Sequence, residues 1–417
     1  MRILTILFIF ITFLAVSCNS PQEIRLQVFN PMDQQRNDAT ILLSRSAIAK
    51  WTEIPTGQLP VLKNMDGAYI PCQADDLNGD GEWDELFALT DMGPSSQMTL
   101  VLKFISPEEF PSFEVRTNLR LGANKPGYPE LLQAARLEGV AFHNYSGITG
   151  EAYQMEGPAW ESDMVGFRNY LDQRNGMDIF GKLTRAMILD SVGVAGRQSY
   201  HEPDQWGMDV LKVGTSLGAG AIGYMYNDSI YRVGDNGSGS YDVQFEGSQR
   251  SRFNLSFTNW KVQDSPLEVT HQIEIVAGRH CYQSNVTYSG SDLSLELVPG
   301  IVNMKSDTLY VLNLNDYYTG FMTYDYQAED ASLMAMAMIV PTVYLKTHGE
   351  TKESGEGVTQ TYYALLDAQP DQPVPYRIYA LWEKEDSRWA SIEEVTAFLK
   401  IEADRWVQSV VFEIQPQ

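Results

Sequence analysis

The sequence predicts a mainly β protein: a small N-terminal antiparallel β-sandwich followed by a large antiparallel sandwich, with few short helices. Three observations carry this. Alternating apolar and polar residues recur in short segments, turn residues separate those segments, and only two stretches have helical spacing.

The alternation begins at Ile24. The segments "IRLQVFN", "ATILLSR", "GAYIPCQAD", "ELFALTD" and "MTLVLKFI" run to Ile105, broken at roughly regular intervals by Gly, Pro, Asn and Asp. This pattern predicts a small sandwich over residues 23–106. "SPEEFPSFE" follows, with two prolines in a polar stretch, and 107–127 is expected to be a linker. Residues 128–417 are expected to form the large unit. Its strands include "RFNLSFTNWKV", "LEVTHQIEIVAG", "LSLELVPGIV", "DTLYVLNL", "TQTYYALLD" and "PYRIYALWEK". No fixed-period repeat suggests a propeller or solenoid. Two broad sheets packed face to face are the simplest arrangement.

Two segments have helical spacing. Tyr128–Val140 places Leu131, Leu132, Ala135 and Leu137 on one face. "SIEEVTAFLKIEADRW" opens with Ser391 and Glu394 as a capping box, ahead of a stripe of Val395, Phe398, Leu399 and Ala403.

The chain has 417 residues and a formal net charge of −24. An acidic surface repels phosphate backbones, so nucleic acid is excluded as a partner. The N-terminus, "MRILTILFIFITFLAVSCNS", has one arginine, an apolar run too short to span a bilayer, then small residues and Cys18. "LAVSC" resembles a bacterial lipobox. It predicts a signal peptide over 1–18 and lipidation at Cys18. The protein is then exported and tethered to a bacterial membrane, on the periplasmic or the cell-surface side. An ordinary secretory peptide is the alternative. Cys72 and Cys281 are either a disulfide or two separate thiols.

Residues 75–86 read "DDLNGDGEWDEL". Asp76, Asn78, Asp80, Gly81 and Asp84 form D-x-N-x-D-G-x-x-D. Calcium takes six to eight oxygen ligands on a flexible loop. Asp76, Asn78, Asp80 and Asp84 would supply side-chain oxygens and Glu82 its carbonyl. The twelfth position is Phe87, so the loop is not a helix–loop–helix hand. It suits a β-hairpin with a structural Ca2+; an Asx-rich turn without an ion is the alternative.

The tract His143–Asp209 mixes Gly, Pro, Trp, Tyr, Arg, Asp and Glu, with little strand periodicity in its first part. Long irregular segments rich in aromatics are commonly functional. The composition suits a sugar, whose C–H faces stack on rings while acids, amides and arginines bond its hydroxyls. Trp160 and Trp206 are candidate platforms. Arg168 and Arg174 could grip a uronate carboxylate. Glu156, Glu161, Asp163 and Asp204 are candidate binding groups; Asp172, Asp178 and Asp209 add further carboxylates. Hydrolysis of a glycosidic bond needs two carboxylates across it. A polysaccharide lyase must neutralise a uronate, abstract a proton and protonate a leaving oxygen, for which His143, Arg168, Tyr170 and His201 are the candidate set. On this reading Arg168→Ala and His201→Ala abolish turnover without loss of folding. "GTSLGAGAIGY", Gly214–Tyr224, lacks the lysine of a phosphate loop and reads as a strand packed closely on a neighbour.

Taken together, "IPCQADDLNGDGEWDEL", "EGPAWESDMVGFRNYLDQRNGMDIFGK" and "YHEPDQWGMDVLKVG" resemble the DUF4861 family of exported Bacteroidetes-type proteins. The resemblance covers nearly all of the chain after the signal segment. It implies a setting in polysaccharide breakdown, with no residue roles to carry over. The central strands also resemble the galactose-mutarotase-like supersandwich of several lyases and hydrolases, by fold analogy alone. The expected function is that of an exported carbohydrate-active enzyme, lyase or hydrolase, on acidic or complex glycans. The alternatives are a non-catalytic surface glycan-binding protein and a purely structural lipoprotein.

Overall fold

The computed structural model describes residues 24–125, 127–138 and 152–415. Strands dominate, and their ladders are antiparallel. No helix among the described residues is long and apolar enough to cross a membrane.

At the N-terminus a three-stranded sheet (Arg36–Ser44, Glu85–Met92, Cys72–Asp75) packs on a four-stranded one. The second sheet orders its strands Val411–Gln415, Ile24–Phe29, Gln97–Ile105 and Leu59–Asn64. Alternation decides what is buried: Ile24, Leu26 and Val28 point inward from the first strand, Ile41 and Leu43 from the facing sheet. The last strand of the chain pairs with the first described one, from Arg25↔Gln415 to Phe29↔Val411.

The larger body is a nine-stranded sheet faced by two five-stranded sheets. One of the smaller sheets holds Thr117–Arg120, Ala159–Ser162, Val165–Asn169, Met177–Lys182 and Gly207–Asp209. Thr117–Arg120, inside the stretch expected to be a linker, is thus a strand of this sheet. The core between the sheets is aromatic. Trp160, Phe167, Phe253 and Tyr282 pack with ring centroids 4.8 to 5.9 Å apart. Burial of each such ring contributes about 1.5–3 kcal/mol. Ala219–Tyr226 is a strand, as its glycine-rich sequence predicts. Gly218, with positive φ, carries no Cβ because one would collide with the Met177 carbonyl.

The C-terminal helix, Ile392–Val407, forms as expected. The Ser391 hydroxyl accepts from the Glu394 amide at 3.3 Å. It donates to the carboxylate of Glu393, rather than of Glu394, at 2.9 Å. Val395, Leu399 and Ala403 bury against Tyr379 and Leu381 on the outer face of the nine-stranded sheet and against Trp389 of the turn before the helix.

The helix expected over Tyr128–Val140 is not formed. Glu130–Leu131 pairs with Gly122–Ala123, and Ala134–Glu138 is an edge strand on Ser238–Glu246. Leu131 is exposed, while Leu132 and Ala135 pack against the core of the large body. The open sheet edge instead satisfies the backbone of Ala134–Glu138. Cys72 and Cys281 are buried free thiols.

Candidate functional site

Val165–Asn169 and Met177–Lys182 form a hairpin whose register sets Arg168 directly against Asp178. The Arg168 side chain, with 0% exposure, lies inside the protein. Its Nη2 donates to Asp178 Oδ2, to Asp209 Oδ2 at 3.1 Å and to the Tyr170 hydroxyl at 2.9 Å. Asp209 arrives on the neighbouring strand, where Phe180 pairs with it. Gly207 permits that strand to close in, because a Cβ there would collide with the Gly181 carbonyl. Tyr170 also donates to Asp178 Oδ2 at 2.8 Å. The rings of Tyr170, Phe180 and Tyr200 surround the guanidinium at 4.7, 5.4 and 5.1 Å.

His201 is where this buried network meets solvent. Its Nδ1 lies 3.4 Å from Asp209 Oδ2, and its side chain is 64% exposed. Its ring packs at 4.3 Å on Tyr200. Glu156 stands on the other side, 4.0 Å from Arg168 Nη1 and 24% exposed. Met155 and Glu156 both hold positive φ, 60° and 66°, a conformation that costs about 1–3 kcal/mol per residue and gathers at functional sites.

The electrostatics follow from burial. Desolvation, then the charge of Asp209, pushes Asp178 up to about 7, against the pull of Arg168. Burial and the neighbouring Asp178 raise Tyr170, so its phenol keeps its proton. Burial also opposes the charge on Arg168, but the carboxylates of Asp178 and Asp209 outweigh it and hold the guanidinium protonated. The hydrogen bond to Asp209 raises His201 above its ordinary value. Two buried carboxylates thus share one fixed cation, with an imidazole at the surface coupled to one of them.

The structure brings together Arg168, Tyr170, His201 and Glu156 from the expected set. Arg174 lies next to them, 3.9 Å over the Tyr170 ring, and grips the Asp172 carboxylate. Trp206 sits edge-on to Phe180 at 6.0 Å and is half-buried. Asp204 belongs to the turn that ends at Gly207, its side chain accepting from the Gln205 amide. Three residues are elsewhere. Trp160 is wholly buried against Phe167, Phe253 and Tyr282 and has no face for a sugar. Glu161 is buried on Lys182, at 2.6 Å, and on the amides of Ile188 and Leu189. Asp163 bonds Arg116 and the Gly278 amide. These three are corrected to structural roles. His143 and Cys18 lie outside the described residues.

Sequence reasoning counted Asp178 and Asp209 only among surplus acids and overlooked Tyr200. The hairpin offered a signal: a turn over residues 171–174, centred on Gln173, places residues 168 and 178 opposite each other.

The acidic loop joins Cys72–Asp75 to Glu85–Met92 as a hairpin. Asp76 accepts from the amides of Gly79 and Gly81 at 2.7 and 2.8 Å, Asn78 from Asp80, Asp80 from Glu82, and Asp84 from Leu77. The Gly81 amide foremost holds Asp76 below the ordinary carboxylate range. Glu82 turns its carboxylate to Arg45 at 2.6 Å, which leaves its carbonyl as the only oxygen it was expected to give. No group of three or more His, Cys, Asp or Glu among the described residues is gathered as a metal site.

No curated protein matches the chain. Among solved structures it is similar to an α-mannosidase from Enterococcus faecalis V583, with TM-score 0.46 and 9% identity over 94% of this chain and 46% of that one. It is also similar to a protein in the glycosyl hydrolase family 38 from Enterococcus faecalis, with TM-score 0.49 and 8% identity over 95% and 48%. The chain spans about half the length of these neighbours. Residues 28–411 match the model of a domain of unknown function, DUF4861. The chain belongs to the DUF4861 family.

Proposed function

We propose that this chain is an exported, lipid-anchored carbohydrate-active protein that cleaves an acidic glycan by proton transfer at His201. The observation that supports this best is the coupling of a solvent-facing imidazole to a buried Arg168–Asp178–Asp209–Tyr170 network. Such a network fixes the tautomer and orientation of a base without itself meeting substrate. His201 is the proposed catalytic residue. Asp209 positions it, and Arg168 holds Asp209 in place. Tyr200 and Trp206, half-buried beside it, offer apolar surface to a sugar ring. Glu156 and Arg174 are the proposed polar contacts.

The geometry favours elimination over hydrolysis. A hydrolase places two reachable carboxylates across the scissile bond. Here Asp178 and Asp209 are buried and engaged, and Glu156 is partly exposed. A non-catalytic glycan-binding protein is the second reading, favoured by the withdrawal of Arg168, from the candidate catalytic set, into the interior. Incubation with uronate-rich and neutral polysaccharides separates the two. New reducing ends, with the ultraviolet absorbance of an unsaturated uronate, support the lyase. Affinity without product supports the binder.

We further propose that the loop Asp76–Asp84 takes a structural Ca2+. Asp76, Asn78, Asp80 and Asp84 would supply side-chain oxygens and Glu82 its carbonyl, on a hairpin already closed by its own amides. The anchor at Cys18 would hold the protein at a bacterial membrane. Retention of labelled lipid by the wild type, and its loss in Cys18→Ala, tests this.

A further inference from the structure

A cavity of about 410 Å³ lies where the N-terminal sandwich, the nine-stranded sheet and the C-terminal helix meet. It is separate from the His201 network. Tyr282 points inward to Phe167, while its neighbours Cys281 and Gln283 line the cavity from the opposite face of the same strand.

Five arginines and two glutamates line it: Arg36, Arg250, Arg279, Arg377 and Arg405, with Glu274 and Glu402. Arg250 is neutralised by Asp75 at 2.7 Å and Glu85 at 2.8 Å, and Glu274 is also held by Arg252. Among the described residues, the other four guanidiniums share one carboxylate. Glu402 bonds Arg405 at 2.7 Å and lies 3.7 Å from Arg279. Arg377 bonds the amide oxygen of Gln283 and lies on the Trp406 ring at 4.0 Å. Arg36 bonds the Gln408 carbonyl; it is 4% exposed, and its Nε has no hydrogen-bond partner among the described residues. Burial, then Arg279 and Arg405, pushes Arg36 down to about 10.

Concentrated like charge at the meeting of three elements is costly unless an opposite charge offsets it. The whole chain carries −24, so the excess is local. We propose that this cavity is an oxyanion site for a tetrahedral group, a sulfate or phosphate, free or esterified to a sugar. Guanidiniums come from a strand of the sandwich, a strand of the large sheet, the loop before Cys281 and the helix. A tetrahedral group presents acceptors in more directions than a planar carboxylate, so guanidiniums from several elements can reach it at once. Binding would tie the sandwich to the large body.

Titration calorimetry with inorganic sulfate, inorganic phosphate, glucose 6-sulfate and glucuronate, at constant ionic strength in chloride, tests this. One site per chain is expected for at least one of the first three, with glucuronate weaker by about tenfold or more. A preference for glucose 6-sulfate over inorganic sulfate would identify the ester as the source; the reverse would identify the free ion. Arg36→Gln and Arg377→Gln should each weaken binding about tenfold or more. Without anion, Arg36→Gln should melt at or above the wild type, since it relieves repulsion. No binding by the wild type, equal binding by both variants, or a lower melting temperature for Arg36→Gln with binding unchanged would overturn the proposal.

Discussion

Arg168 and Asp178 face each other across adjacent strands, and the Arg168 Nη2 that meets Asp178 also serves Asp209 and Tyr170. A strand register therefore builds a buried charge network. Arg168→Ala leaves two buried carboxylates without their cation. A loss of about 3–5 kcal/mol is expected, read as a lower denaturant midpoint. The expectation from sequence that this variant would stay folded is replaced by that one. Unchanged stability would show that the network contributes nothing to folding.

His201 offers the cleaner test of chemistry. Its side chain is mostly exposed, so His201→Ala should keep stability within about 0.5 kcal/mol of the wild type. Loss of a general base should lower turnover by about 10²–10⁴-fold. Asp209→Asn should lower turnover less and shift the pH profile, since it acts through the imidazole.

The pH dependence has a defined sign. Asp178 and His201 both bind protons more tightly in the folded state than in the unfolded one. Each contributes stability that is fully present below its unfolded pKa and is lost as pH rises through the folded value. For Asp178 the window runs from about 4 to about 7, the folded value. Asp178→Asn should flatten the fall in stability across that window. An unaltered profile would contradict the assignment.

Glu161 and Lys182 test a second buried pair. Burial pushes Glu161 up and Lys182 down, each towards its neutral form, though they lie 2.6 Å apart. Lys182→Met strands the carboxylate beside Ile188 and Leu189. It should cost about 3–5 kcal/mol, whereas Lys182→Met with Glu161→Leu should recover much of that loss in equilibrium unfolding.

Calcium should raise the melting temperature of the wild type relative to chelator. Saturation at one hundred times the dissociation constant corresponds to about 2.7 kcal/mol. Asp76→Ala should remove the difference. Equal melting with calcium and chelator in the wild type would discard the ion and leave an Asx-turn hairpin.

Legibility varied with the range of the interactions. Alternation in Arg250–Val262 and Ser265–Val276 reads directly as strands because one face is buried and the other is not. The Ser391 cap reads as well, because its partners lie within three residues. Tyr128–Val140 misled because its apolar spacing is helical, while the edge of the nine-stranded sheet claims Ala134–Glu138. In the candidate site, Arg168 and Tyr170 were legible as chemistry but not as buried. The sequence could not show that Trp160 faces Tyr282 while Arg168 faces Asp209, since that depends on which side of one small sheet meets the large one. The arginine cavity was invisible because its members span residues 36 to 405.

The most direct test of the central claim is product formation from uronate-rich polysaccharides by wild type and His201→Ala, measured as reducing ends and unsaturated-uronate absorbance together. Both signals from the wild type and neither from the folded variant are the predicted result. No product on any substrate, or equal product from His201→Ala, would contradict it.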